Sequence, residues 1–462
     1  MTTADKIAIF SGKFAASAIR LLGAGLGSNF PGRIARKVAP NVLGDLSRQA
    51  RQGIIAVTGT NGKSTSSGLL SSILKSAGLE IVHNTQGANL VPGITACLIN
   101  AASWDGSLDV DYCLFEIDEA ALPLVAREAK IGTIVVTNLF RDQLDRFGEL
   151  DTTSRLIDQG IAVNTSLAVL NADDPNVSQL APNSTRLFFG IESLLENKPG
   201  SVEGEELTKS GNAELAYCHK CGAEVSYSRF YYGQLGLWTC SKCDHGRPQP
   251  DVWAEKVDLN AEYSEFQAHV KGSVFDVHVP LPGLFNVYNA LSALAAATTL
   301  SISHQAIRDG LKTYKTLFGR SERVTIKGKQ VLIQLIKNPA GASQAVSSVV
   351  SDPQALVLIA INDNLADGRD ISWLWDADFE QLSVANRQII VSGARAEDMA
   401  VRMKYAGFAS ENIVCIPKLS KALDEALSRL SAGQTLRLLP TYTCLLELQK
   451  LLKNRGVSLS GT

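Results

Sequence analysis

Three things are scarce or missing in this 462-residue sequence, and each removes a class of function. Charge of one sign is the first: 44 Lys and Arg stand against 46 Asp and Glu, a formal balance of −2. The whole-chain positive field of a nucleic-acid binder is therefore absent. A long apolar run is the second. The stretch "KIAIFSGKFAASAIRLLGAGLG" comes nearest, but Lys13 and Arg20 interrupt it short of the roughly 20 residues that span a bilayer. Internal repeats and low-complexity tracts are the third. What remains, 45% hydrophobic and 19% charged residues, is ordinary globular composition with room for two or three cores.

Residues 1–52 depart from the average, with eight Lys or Arg against two Asp. A helix resting on an anionic membrane surface fits this composition, and so does an ordinary surface helix followed by a basic loop. The second is the simpler expectation. Eight cysteines are present. Four of them (Cys97, Cys113, Cys415, Cys444) lie in apolar segments and read as buried small hydrophobes. With no secretory signal, a reducing cytoplasm and metal binding fit this usage better than disulfides.

From residue 53 short apolar runs alternate with helical patterns. "GIIAVTG", "DYCLFEID", "IGTIVVTN" and "SLAVLNAD" read as buried strands, and "GKSTSSGLLSSILKSAG" as a helix closed by Gly78. Such alternation predicts an α/β fold with a mostly parallel sheet and helices on both faces. The pattern lapses over the polar, Gly-rich residues 190–258. It returns with a helix in "FNVYNALSALAAATTLSIS". A linker around 310–325 then leads to a second series, "QVLIQLI", "ALVLIAI", "RQIIVSG", "NIVCIP" and "TLRLLP", the mark of a smaller Rossmann-like C-terminal domain.

"VTGTNGKSTS" lies between a strand and a helix, the context a phosphate loop requires. Backbone N–H groups from Gly59, Thr60, Asn61 and Gly62 to Lys63, Ser64 and Thr65 would cradle phosphate oxygens at the helix N-terminus. Lys63 would reach the terminal phosphates of ATP and the Ser64 hydroxyl would hold Mg2+. The strict G-x-x-x-x-G-K-[ST] pattern fails at Val57, leaving the variant T-G-T-N-G-K-[ST]. Glu116 ends a strand where a carboxylate would bind Mg2+, with Asp118 a weaker candidate. Asn138 and Asp142 follow the next strand, at the edge where open α/β sheets bind ligands. "NADDP" reads equally as a plain Asx-turn and as part of a site.

Cys218, Cys221, Cys240 and Cys243 form C-x2-C-x18-C-x2-C, a spacing suited to a tetrahedral zinc site. Four thiolates leave no coordination position open, so the zinc would be structural and would fold a segment too polar to fold alone. His219 and His245 flank the knuckles as bystanders. Between the knuckles and beside them only Lys220, Arg229 and Lys242 are basic, which disfavours nucleic acid.

Taken together, "GTNGKST", "FEIDEA", "TNLFRDQLDRFGE", "NADDP", "LPGLFNVYNALSA" and "FGRSERV" occur in the order seen in the Mur ligases, which the chain resembles over roughly residues 50 to 460. Those enzymes make an acyl phosphate from a carboxylate and ATP, then let an amine displace phosphate. The resemblance implies an N-terminal helical segment at 1–50 and a Mur ligase-type central P-loop ATPase domain at 51–310. It implies a zinc-ribbon insertion at about 200–258 and the smaller domain at 320–462. Asn289 would contact adenine and Arg320 the phosphates.

Five departures narrow the resemblance to the MurT branch. Only about fifty residues precede the loop. The D-H-L-D motif reads Asp142-Gln143-Leu144-Asp145, no lysine lies between Arg141 and Gly190, and the four-cysteine insertion is present. "KNPAGASQ", "INDNLADGRDISWLWD" and "LLPTYTCLLEL" mark the C-terminal half. The MurT resemblance implies ATP-dependent amidation of the D-glutamate of lipid II, with ammonia from a GatD-like class I glutaminase that contacts the C-terminal domain. It gives Asp367, rather than Asp363 or Asp370, the place of the aspartate that completes the partner's Cys–His–Asp triad. The expected location is cytoplasmic, with contact at the inner face of the plasma membrane left open by the basic N-terminal segment. An amino-acid ligase of the folylpolyglutamate or cyanophycin synthetase kind, and a zinc-ribbon ATP-binding module without ligation, remain the alternatives.

Overall fold

A computed structural model describes the chain apart from residues 22–28, 85–87, 141–149, 196–216, 261, 316–318, 351, 353, 432 and 458–462. Apolar runs that are short and unbroken suit strands buried on both faces. β1 (Gly53–Thr58) lies between β3 (Tyr112–Glu116) and β4 (Thr133–Val136) and is parallel to both. With β2 (Ile81–His83), β5 (Leu167–Asn171) and β6 (Thr185–Ile191) they belong to a nine-stranded sheet. Successive side chains feed two cores. Ile54 and Ala56 join the layer under helices Val91–Ala101 and Leu122–Glu128, while Ile55 and Val57 join the layer under Lys63–Ser76 and Leu284–Thr299.

The sheet resumes earlier than expected after the insertion. β9 (Val252–Leu259) pairs in parallel with β6 and continues into antiparallel β10 (Ser264–Val270) and β11 (Ser273–Val279). The order is β11-β10-β9-β6-β5-β4-β1-β3-β2. Lys256 hides this in the sequence: its φ of +52° bulges the strand, so the inward pattern of Val252 and Ala254 skips to Val257. Between β6 and β9, β7 (Val225–Tyr232) and β8 (Leu235–Cys240) form a separate hairpin.

The stretch expected as a linker is partly structured, with helix His304–Lys312 before it and β12 starting at Arg320. β12 (Arg320–Ile326) is an antiparallel edge on β13 (Lys329–Gln334). The remaining strands of this second sheet, β14 (Leu356–Ala360), β15 (Ile389–Ser392), β16 (Ile413–Cys415) and β17 (Thr435–Pro440), are parallel, in the order β12-β13-β17-β14-β15-β16. Cys113 and Cys444 are buried and Cys97 is half-buried, but Cys415 is exposed because β16 is a three-residue edge strand.

Among the described residues the N-terminal basic segment holds three helices, where the simpler expectation had one helix followed by a basic loop. Helices Thr3–Leu21, Phe30–Val38 and Val42–Ser47 lie on the first face, against Val91–Ala101. Gly32 permits this approach, since a Cβ there would lie 1.8 Å from the Pro92 carbonyl oxygen. Arg36 grips both oxygens of Glu128 at 2.6 and 2.7 Å. Among the described residues no helix is long and apolar enough to cross a membrane.

Candidate functional site

The phosphate loop turns out of β1 and runs into helix Lys63–Ser76, whose first N–H groups have no partners within the helix. Gly62 takes φ +85°, and the Asn289 amide oxygen lies only 2.0 Å from where its Cβ would be. Glycine is therefore required twice, by conformation and by space. The segment after β4 fixes the loop's other side. Thr60 N–H donates to the Asn138 carbonyl (2.9 Å), and Asn61 N–H donates to the Asn138 side chain (2.9 Å). Thr137 Oγ1 and Asn138 Nδ2 both donate to the Asn61 carbonyl, at 2.7 and 3.0 Å. Phe140 N–H donates to Thr60 Oγ1 at 3.1 Å.

Lys63 Nζ donates to Glu119 Oε1 at 2.7 Å and to the Gly59 carbonyl. Burial alone would push this ammonium's pKa down. Glu119, with Asp118 and Glu116 behind it, outweighs the burial, so the pKa stands above that of an ordinary lysine and the charge is permanent. Glu116 is buried and its register partner on β1 is Val57, two residues before Gly59. Glu116 ends β3 and Ser64 stands in the first turn of the helix, and a carboxylate and a hydroxyl are the hard oxygen donors that Mg2+ takes. Asn289 lies beneath the loop, 5% exposed, accepting from Ser66 Oγ (3.3 Å) and donating to Asn286 (3.1 Å). Asp142 and its D-Q-L-D motif lie outside the described residues, as does the side chain of Arg320.

Two features of this site were not read from the sequence. Glu119 is one, an acid three residues past the expected one and almost fully buried. The C-terminal domain is the other: Lys337 Nζ donates to the Thr60 carbonyl (3.1 Å), and Asn338 exchanges amide bonds with Asn61 at 3.0 and 3.3 Å. Both belong to "KNPAGASQ", which was visible as a motif without a role.

The four knuckle cysteines converge, all ligand atoms lying within 4.8 Å of one another, with Cys218–Cys243 sulfurs 3.7 Å and Cys221–Cys240 sulfurs 3.4 Å apart. A tetrahedral zinc with 2.3 Å bonds sets sulfurs about 3.8 Å apart, so the cage fits. The Lys242 and Cys243 N–H groups point at Cys240 Sγ and bring that thiol's pKa down to about 6, so Cys240 ionises first, while the neighbouring sulfurs hold Cys221 and Cys243 up. Neither histidine belongs to the four-cysteine cluster, though both have partners beside it. His245 lies 3.5 Å from Cys218 Sγ and edge-on to Trp238, and His219 bonds Asn176 at 3.0 Å.

The ribbon is tied to the phosphate-loop side of the sheet. Gln234, at the hairpin turn, donates to the Leu139 carbonyl (2.7 Å) and to Asp174 (3.1 Å). Trp238 Nε1 donates to Ala172, and Arg247 pairs with Asp173 at 2.6 Å. "NADDP" therefore combines two Asx-turns, Asn171 to Asp173 and Asp174 to Asn176, with the brace for the ribbon. Burial lifts the Asp174 carboxyl to about 7, although backbone N–H groups of Leu139 and Asn176 pull the other way.

At the C-terminal end of β14, Asp363 pairs with Arg395 at 2.6 Å and Asp370 accepts from Ser372 N–H at 2.8 Å. Asp367 accepts from the backbone N–H (2.7 Å) and hydroxyl (2.5 Å) of Thr443, in the first turn of helix Tyr442–Asn454. Beside it Leu365 is 76% exposed, on the rim of an open hollow that includes Arg369 and Arg395.

Comparison with known proteins agrees with this geometry. The Mur ligase middle domain matches residues 57–214 and 224–297, and the MurT ligase C-terminal family matches 335–445. The chain is 36% identical over 402 residues to the lipid II isoglutaminyl synthase (glutamine-hydrolyzing) subunit MurT of Staphylococcus aureus strain N315, spanning 86% of this chain and 87% of that protein. The protein of that name from Streptococcus pneumoniae strain R6 is 33% identical over 437 residues, 94% of each chain. Among solved structures, a pseudomurein peptide ligase type C from Methanothermus fervidus shares the fold, with a TM-score of 0.70 at 23% identity over 89% of this chain and 80% of that one. Both the central and the C-terminal parts of the chain are thus matched, and the chain belongs to the MurT family of Mur ligase-type proteins.

Proposed function

We propose that this protein amidates the α-carboxylate of D-glutamate in the lipid II stem peptide to D-isoglutamine, using ATP and ammonia from a GatD-like class I glutaminase. The observation carrying the reading is the similarity, over most of the chain, to subunits named for glutamine-hydrolysing isoglutaminyl synthesis. ATP is assigned to the Gly59–Thr65 loop, with Asn289 and Arg320 as its base and phosphate contacts, and Mg2+ to Ser64 and Glu116. Bound there, Mg2+ would supply charge neutralisation between phosphate oxygens.

A carboxylate oxygen of the substrate attacks the γ-phosphorus, and the bond from that phosphorus to the β,γ-bridging oxygen breaks, releasing ADP. Lys63, held charged by Glu119, neutralises the charge developing on the transferred group. The nitrogen of ammonia then attacks the acyl carbon, phosphate leaves with the C–O bond electrons, and the nitrogen gives up a proton. Cys218, the cysteine beside His245, belongs to the metal cage, so this chain is assigned no glutaminase chemistry of its own. Asp367 is assigned to orient the partner's histidine and stabilise its imidazolium.

ADP release measured with lipid II and ammonium, each present or absent, tests the ligase half. Turnover that needs both supports amidation, turnover with an amino acid in place of ammonium marks an amino-acid ligase, and indifference to either marks a binding module. In the reconstituted complex Asp367→Asn should lose glutamine hydrolysis and keep ammonium-driven turnover, whereas Asp363→Asn should keep both. Normal glutamine hydrolysis by the Asp367 variant removes the triad assignment.

A further inference from the structure

Helix Thr3–Leu21 is apolar on two faces. Ala8, Ile9, Gly12, Ala15 and Ala16 point into the fold. On the opposite side Ile7, Phe10 and Phe14 recur at helical spacing, exposed by 54%, 60% and 68%. A helix apolar all round needs a second cover, since its outer stripe is otherwise left in water. The stripe is extended from another part of the chain: Trp104, 62% exposed, lies 5.6 Å ring to ring from Phe10.

Charge around the stripe indicates which cover fits. Lys6 is exposed on the same helix, and the Lys13 ammonium lies 5.2 Å above the Trp104 ring. The neighbouring helix Phe30–Val38 exposes Phe30 beside Arg33 and Lys37. Of the nearby acids, Asp5 is buried and bonded to Thr2, while Asp105, bonded to Ser107, and Asp109, paired with Arg51, face solvent. Aromatic rings flanked by long cationic side chains are the chemistry of a lipid–water interface with anionic headgroups.

We propose that Ile7, Phe10, Phe14 and Trp104, ringed by Lys6, Lys13, Arg33 and Lys37, dock this protein on an anionic bilayer surface. The aromatic side chains enter the headgroup–acyl boundary, and the lysines and arginines stay at headgroup level. The inference does not depend on the ligase reading, because the probe contains no peptidoglycan precursor.

Flotation of the full chain with phosphatidylcholine vesicles, and with vesicles containing phosphatidylglycerol as well, tests it. The protein should float with the anionic vesicles, less with neutral ones, and less again at high salt. Phe10→Ser with Phe14→Ser should weaken vesicle binding about tenfold, and Phe10→Leu with Phe14→Leu should retain most of it. Nucleotide binding should be unchanged in both, which also reports that the fold is intact. Failure of the wild-type chain to float, or equal flotation by the serine variant, overturns the proposal. So does sedimentation showing a dimer that the serine variant dissociates, since a second copy would then be the cover.

Discussion

Two loops of this molecule occupy the same topological position, at the C-terminal ends of central strands in parallel sheets, and are built in opposite ways. The loop after β1 is enclosed, with Thr60 and Asn61 bonded to the segment after β4, Gly62 pressed on Asn289, and Lys63 locked to Glu119. The loop after β14 keeps its acids but leaves Leu365 and the hollow by Arg369 open to solvent. Strand ends supply a place for ligands in both sheets, but the depth of support decides what kind. Enclosure suits a small anion that must be held by backbone N–H groups. An open rim of mixed charge on a well-anchored turn suits a macromolecular surface.

The comparison breaks most directly at Lys63. Lys63→Ala should lower ATP turnover about a thousandfold while the reconstituted complex still hydrolyses glutamine; equal loss of both activities would mean the loops are not separable. Asp174 gives the next effect. Its folded-state pKa, about 7, lies above that of an unfolded aspartate, so the folded protein holds a proton that the unfolded chain releases. This contribution is fully present below the unfolded pKa and is lost as pH rises from about 4 through 7, at up to about 1.4 kcal/mol per pH unit. Thermal melts of wild type and Asp174→Asn across that range should differ in slope, the variant being flatter.

A smaller effect is expected at Gln234→Leu, which removes one of several donors to the Leu139 carbonyl and to Asp174 and costs about 1–3 kcal/mol for the two bonds. The KM for ATP should rise with zinc content still at one per chain by metal analysis; an unchanged KM would show that the ribbon's tie stops short of the phosphate loop. Asn338→Ala sharpens the contrast least. Losing its exchange with Asn61 should raise the KM for ATP by about two- to fivefold, as suits a pair of one buried and one half-buried amide worth about 1 kcal/mol.

What the sequence made legible follows how local each signal was. The phosphate loop and the cysteine knuckles are contiguous patterns with fixed chemistry, and both assemble as their spacing implies. The parallel strands were visible because burial on both faces leaves unbroken apolar runs. Strand β9 was not, because Lys256 shifts its period mid-strand. Glu119 and the Lys337–Asn338 pair were hidden for another reason: their roles exist only once distant segments meet across 56 and 277 residues. Asp367 was given its role by resemblance alone; its carboxylate is buried and turned toward Thr443, a bond that nothing in "ADG" announces.

The excursion that carries the cysteines leaves the sheet at Ile191 and re-enters it at Val252, so β9 can align on β6 only after a long detour has closed. Bringing such distant ends together has an entropic cost that grows with the flexible length between them. A metal held by the four cysteines would tie part of that detour together and lessen this cost for β9, β10 and β11. Metal removal would then act on one edge of the large sheet as well as on the appendage that holds the cysteines.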